Sequence, residues 1–157
     1  MNKKVLKFIA SIIICQSAGV FGSLVTFEAI PGWYITLEKP FFAPPDWIFG
    51  PVWIILYFLM GVSLYIVWEN ELKSKTRNIF FIVFGIQLIL NTLWSSLFFG
   101  LRSPLLGLID VLILDAMVAV TIIYAKRVSK YAAMLLIPYM VWIIIASVLN
   151  YAILVLN

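Results

Sequence analysis

The chain contains no histidine, and its one cysteine, Cys15, stands inside an apolar run. The commonest general base and metal ligand is therefore missing, and a lone thiol closes no internal disulfide. Neither a G-x-S-x-G elbow nor a phosphate-cradling glycine loop occurs. These absences argue against a conventional hydrolase or metalloenzyme, and no metal site is expected. The chain offers instead indole, amide and carboxyl groups at helical spacing. Gln87, Asn91, Trp94 and Phe98 fall at i, i+4, i+7 and i+11, which is one helix face. Pro138, Trp142, Ala146 and Asn150 repeat every four residues with Leu149 beside them, and Gly50, Trp53 and Tyr57 share a third face. The indoles of Trp53, Trp94 and Trp142, set among small residues such as Gly50 and Ala146, describe a flat-walled apolar cavity suited to a planar aromatic ligand. The competing reading of Gln87, Asn91 and Asn150 is amide glue between helices. Both readings stay open at this point.

Two carboxylates, Asp110 and Asp115, interrupt an otherwise apolar run. An ionisable group at that depth is expensive and by default functional. Five residues turn a helix by about 140°, so the two cannot point the same way. Asp110 is expected to share a face with Leu106, Ile113 and Met117 and to bond structurally to a neighbouring helix or loop. Asp115 lies nearer mid-membrane with no basic partner at its depth, and is expected to be a hydrogen-bonded carboxylic acid.

The elements that must position these groups follow from composition. Of 157 residues, 64% are hydrophobic and 11% charged, against roughly 45–50% and 25% in soluble domains. The solvent around most of the chain is therefore lipid. A bilayer core of ~30 Å takes about 20 apolar residues as helix. Five stretches qualify, giving one domain over 1–157 with helices at 6–28, 46–69, 78–101, 104–126 and 130–155. The expected fold is an all-α integral membrane protein, a five-transmembrane-helix bundle. A barrel is disfavoured because its strands would alternate apolar and polar residues. The first run exceeds the ~7–15 residues of a signal-peptide core and no A-x-A-like site closes it, so it reads as a retained span. Ser11, Cys15, Gly19 and Ser23 recur every four residues along it, with Ala18 and Gly22 alongside. Such a small-residue face lets helices approach closely, and internal packing rather than a dimer is the expectation. Ser103-Pro104 reads as a helix cap and first position, and Pro51 and Pro138 can each kink a span.

Lysine and arginine orient the bundle. Lys3, Lys4, Lys7, Lys73, Lys75, Arg77, Lys126, Arg127 and Lys130 fall on one side, against Lys39 and Arg102 on the other. That asymmetry places the N-terminus in the cytoplasm and the C-terminus outside a cell membrane crossed five times. It also accounts for the net charge of +4 without nucleic acid as a partner. The loop at 29–45 holds Pro31, Pro40 and Pro44, with Pro45 at its end, interleaved with Trp33, Tyr34, Phe41 and Phe42. Proline restricts the backbone, so the loop reads as a stiff lid over a pocket, with an interfacial aromatic belt as the alternative.

At this point the residues resemble a known family. Trp33-Tyr34-x-x-Leu37-x-Lys39-Pro40, then Pro44-Pro45-x-Trp47-x-x-Gly50-Pro51-Val52-Trp53 and Leu56-Tyr57, are similar to the translocator proteins, also called tryptophan-rich sensory proteins or peripheral-type benzodiazepine receptors (TspO/MBR). Gln87-Leu88-x-Leu90-Asn91-x-x-Trp94-x-x-x-Phe98-Phe99-Gly100 resembles the family's third helix, and Asp110 follows at the family's spacing. Pro138-Tyr139-x-x-Trp142-x-x-x-Ala146-x-x-Leu149-Asn150-Tyr151 resembles its fifth. The resemblance implies a bacterial-type member that binds protoporphyrin IX or a related tetrapyrrole, binds isoquinoline carboxamide and benzodiazepine-type drugs, and forms homodimers among membrane lipid. It implies a pocket of Tyr34, Pro45, Phe49, Gly50, Trp53, Asn91, Trp94, Leu106, Ile109, Ile113, Trp142, Ala146 and Leu149. Light-dependent oxidative breakdown of the porphyrin is the implied chemistry, with Trp53 and Trp142 as the catalytic indoles. No cofactor is implied, the porphyrin being ligand or substrate. The alternative is a porphyrin or lipid sensor or transporter without chemistry. One departure is that no lysine or arginine follows Tyr151, where animal members carry a proposed sterol motif, itself a weak pattern.

Overall fold

A computed structural model describes residues 2–70 and 75–157. Lys73, counted above among the orienting cations, lies outside the described residues. Five helices are long and apolar enough to cross a membrane, and the described residues contain no strand. They are α1 (Lys3–Ala29), α2 (Asp46–Glu69), α3 (Lys75–Ser95, continued by a π-helical turn at Ser96–Gly100), α4 (Pro104–Val128) and α5 (Lys130–Leu156). The protein is thus an all-α, multi-pass membrane protein. Helix α1 begins at Lys3 rather than 6 because Asn2 Oδ1 caps it, accepting from the Lys4 amide at 3.1 Å. The Ser103 hydroxyl accepts from the Leu106 amide at 3.3 Å, with Pro104 in the first turn where its missing N–H costs nothing. Ser129 alone joins α4 to α5. Its amide donates back to Ala125 O at 2.7 Å, and its hydroxyl accepts from the Ala132 amide at 3.4 Å.

The helices close into a ring in the order α1, α2, α5, α4, α3 and back to α1. Small residues set its tightest joint. A Cβ at Gly61 would lie 2.9 Å from Ile12 Cα, so α1 and α2 touch there backbone to backbone. Along the small face of α1, Ser11, Cys15, Ala18 and Gly22 are buried, and a Cβ at Gly22 would lie 2.9 Å from Ser95 Oγ of α3. Met60, Leu64, Val67, Phe80, Phe84, Leu114, Leu136, Tyr139 and Ile143 fill the middle of the ring. A second apolar cluster, of Ala29, Tyr34, Phe98, Phe99, Leu149 and Ile153, closes the loop end.

That cluster divides the 29–45 loop in two. Tyr34, in a single 3-10 turn (Tyr34–Thr36), is buried edge-on against Phe98 and Phe99, at ring distances of 6.3 and 5.4 Å. Phe41 and Phe42 stay exposed. The first half is a plug and the second an exposed aromatic stretch. The Asn157 amide holds the loop down: the Glu38 N–H donates to Asn157 Oδ1 at 3.0 Å, and Asn157 Nδ2 donates to Glu38 O at 3.1 Å.

Candidate functional site

Beneath the plug lies a cavity of about 550 Å³, within the ~300–1,000 Å³ of typical ligand pockets. Tyr34, Phe49, Gly50, Trp53, Asn91, Trp94, Trp142, Ala146 and Leu149 all line it. They come from the loop, α2, α3 and α5, whose indole and amide faces the ring order turns toward one another. Pro45 caps the start of α2 and is not on the wall.

Leu106, Ile109 and Ile113 are not on the wall either, being 39%, 49% and 50% exposed on the outside of α4. The inward stripe of α4 is Gly107, Asp110, Val111, Leu114, Val118, Thr121 and Ala125. Its centre is turned by about one residue, or 100°, from a stripe through Leu106 and Ile113. The cause is Gly107, where a Cβ would come 2.9 Å from both Asn150 Oδ1 and Phe98 Cδ2. Only a glycine lets α4 press there, and that contact fixes the helix's rotation. Asp110, 4% exposed, sits at the edge of this stripe. No bond reaches its buried Oδ2 among the described residues. Asp115 meets Ser147 of α5, whose hydroxyl lies 2.7 Å from Asp115 Oδ2 and 2.9 Å from Ile143 O. The Ser147 hydroxyl thus stands between the Asp115 carboxyl of α4 and the backbone of α5. Neither aspartate lines the cavity.

The rings of the wall are held from behind. Trp94 stacks on Phe98 at 5.1 Å and 16°. Its Nε1–H donates to Asn150 Oδ1 at 3.1 Å, and Asn150 Nδ2 donates to Pro104 O at 2.7 Å. One amide thereby ties α3, α4 and α5. Trp53 stacks on Tyr57 at 5.3 Å and meets Tyr139 edge-on at 6.2 Å. The Tyr57 hydroxyl donates to Asn91 Oδ1. Asn91 Nδ2 donates to the Tyr139 hydroxyl at 3.0 Å, which donates in turn to Gln87 Oε1 at 3.0 Å. Gln87 is therefore interhelical glue, and Asn91 and Asn150 are glue and cavity wall at once. Trp142 differs: it meets Phe49 edge-on at 5.8 Å, and its buried Nε1–H finds no acceptor among the described residues.

Sequence reasoning missed the α1 wall, which includes Gln16, Gly19, Gly22, Ser23 and Thr26. The small-residue repeat was its signal, read there only as packing. Val20, Phe27, Trp47 and Ile54 both line the cavity and stand exposed on the outer surface. The cavity accordingly opens sideways between α1 and α2. Gln16 Nε2 bridges the two helices where the opening begins, donating to Ile54 O at 3.0 Å.

Among the described residues Asp46 is the one charged side chain on the wall, and the Lys39 ammonium pairs with both its oxygens, at 3.3 and 3.4 Å. The same ammonium lies 3.9 Å above the Tyr34 ring. Burial, and secondarily the Asp46 charge, push the Tyr34 phenol up to about 12.

Comparison with known proteins agrees with this architecture. Residues 11–156 match the TspO/MBR family model. A tryptophan-rich protein TspO of Archaeoglobus fulgidus is 50% identical over 155 residues, covering 98% of each chain. The human translocator protein is 40% identical over 124 residues, covering 77% of this chain and 72% of its own. A tryptophan-rich sensory protein of Cereibacter sphaeroides is 31% identical over 157 residues, covering 100% of this chain and 95% of its own.

Proposed function

Because the chain belongs to the TspO/MBR family, we propose that its cavity binds a tetrapyrrole such as protoporphyrin IX and promotes the ring's light-dependent oxidation. The observation that supports this best is the pairing of Trp53 and Trp142 on one apolar wall, with the Trp142 N–H still lacking an acceptor. A flat macrocycle lies against indole faces, and a free-base ring needs no axial ligand from the protein. Light excites the bound ring, and dioxygen, which partitions into apolar sites, is the oxidant. The excited ring passes its energy to dioxygen, the singlet oxygen so formed adds both its atoms across a double bond of the ring, and the indoles of Trp53 and Trp142 hold the ring where that addition occurs. The test is an absorbance titration of the purified protein with protoporphyrin IX in darkness, followed by illumination. Saturable binding and light-dependent bleaching are expected. Unchanged photoproduct yield in both Trp53→Phe and Trp142→Phe would remove the tryptophans from the mechanism.

The same cavity is proposed to take isoquinoline carboxamide and benzodiazepine-type drugs, which should then compete with the porphyrin. The opening between α1 and α2 favours a second reading, a carrier or sensor without chemistry, since it joins the cavity to the bilayer interior. Porphyrin flux into proteoliposomes in darkness, lost on mutation of the wall, would support it. We propose a homodimer in the cell membrane with the N-terminus cytoplasmic. The basic residues at that end of the bundle support the orientation, and crosslinking together with cysteine accessibility from either side tests both.

A further inference from the structure

Lys39 sits at the rim of the cavity with its charge already placed. The residue before it, Glu38, is clamped through its backbone N–H and C=O by Asn157. Its ammonium rests 3.9 Å above the ring of Tyr34, a wall residue, and is paired with the one charged group of the wall, Asp46. That pair is built to open. Asp46 lies in the first turn of α2, where free backbone N–H groups and the helix dipole stabilise a carboxylate without any lysine. It is also 45% exposed, against 25% for Lys39, so water can take over its solvation. A second carboxylate at the rim can therefore claim the ammonium at little cost to Asp46. Among the described residues nothing else on the wall carries a charge, and its neutral remainder suits an apolar body.

We propose that Lys39 is an anion subsite, exchanging Asp46 for a carboxylate on the edge of the bound ligand, so that the cavity selects flat apolar acids over their neutral esters. This rests on the tetrapyrrole reading and adds to it an orientation, with the acidic edge toward the plug and the bare edge inward. Tyr34 and the clamp at Glu38 pre-position the ammonium, which limits the ordering needed on binding.

The test compares protoporphyrin IX with its dimethyl ester, by dark absorbance titration, on wild type and on Lys39→Met, Lys39→Arg and Asp46→Asn. Wild type should bind the diacid roughly tenfold more tightly than the ester, as for a charge-assisted hydrogen bond at a half-exposed site. Lys39→Met should abolish that preference while leaving the ester's affinity unchanged, and Lys39→Arg should keep it. Asp46→Asn should strengthen diacid binding, because the competing carboxylate is gone. The preference should shrink as salt rises. Equal affinity of acid and ester in wild type overturns the inference. So does a Lys39→Met variant that loses both ligands alike, since the lysine would then merely hold the loop. If neither compound binds wild type, the tetrapyrrole reading itself fails, and this inference with it.

Discussion

Asn91 joins α2, α3 and α5 through side chains alone, and that junction can be weighed. Asn91→Ala removes the acceptor of the Tyr57 hydroxyl and the donor to the Tyr139 hydroxyl. Tyr139 keeps its bond to Gln87, so only the Tyr57 phenol is orphaned. Interhelical side-chain bonds in membrane proteins contribute about 0.6 kcal/mol each and at most ~1.7, and an orphaned buried hydroxyl adds about 1–3. The single variant should therefore lose about 2 kcal/mol, and Tyr57→Phe about 1, since it leaves Asn91 Oδ1 without its donor. The double variant has no orphan at this bond, so the two losses should overlap by about 1 kcal/mol. Equilibrium unfolding in mixed micelles over the four-member cycle measures the overlap. Additivity within about 0.3 kcal/mol would refute the coupling. Trp53 stacks on Tyr57, so the same variants should also loosen the Trp53 ring, which its fluorescence anisotropy reports.

Three further outcomes follow from single positions. Gly61→Ala sets a methyl against the Ile12 backbone at 2.9 Å and should cost about 1–3 kcal/mol, whereas Gly85→Ala meets nothing within 4 Å and should be neutral or stabilising by up to ~1 kcal/mol; thermal unfolding in detergent compares them, and equal losses would refute the packing argument. Asn157→Ala removes the bracket on Glu38, so amide exchange at Glu38 should accelerate while α2 and α5 stay protected, as mass spectrometry of exchanged peptides would show. Because Tyr34 is held protonated up to about 12 against a usual 10.0, the unfolded chain releases that proton first. The fold keeps Tyr34's full contribution below pH 10 and loses it as pH rises toward 12; Tyr34→Phe should remove that share of the alkaline loss in unfolding measured across the range.

The spans were legible because lipid imposes length and composition, which single residues cannot disguise. The rotation of α4 was not. That helix is apolar on every side, so hydrophobicity gives it no preferred face, and Asp110 invites a stripe drawn through Leu106 and Ile113. What turns the helix is the close contact of Gly107 with Phe98 and Asn150, which depends on where α3 and α5 stand. The α1 wall was half legible: its small residues announced close approach, and Gly19 and Gly22 do meet Tyr57 and Ser95, but that they also border a cavity depends on where α2 and α3 stand. Tyr139 stood in the fifth-helix motif without a role, because Pro138 and Trp142 drew the α5 face past it, although its hydroxyl closes the chain from Tyr57 to Gln87.

The opening between α1 and α2 gives the cavity its character. The two helices touch at Gly61, where no Cβ fits, and are bridged again at Gln16 and Ile54. By Gly50 a Cβ would meet nothing within 4 Å. The cavity has two boundaries, the opening between α1 and α2 and the charged rim of Lys39 and Asp46. An entirely apolar molecule would gain little by leaving the bilayer for such a space, since lipid is as apolar as the wall. A strongly polar one would forfeit its hydration along the indoles. The molecule that gains most has an apolar plane and a charged edge: the plane trades lipid contact for ring contact, and the edge reaches an ammonium that lipid tails cannot offer. The apolar wall and the rim therefore constrain the ligand jointly, and neither the tryptophans nor the lysine would do so alone.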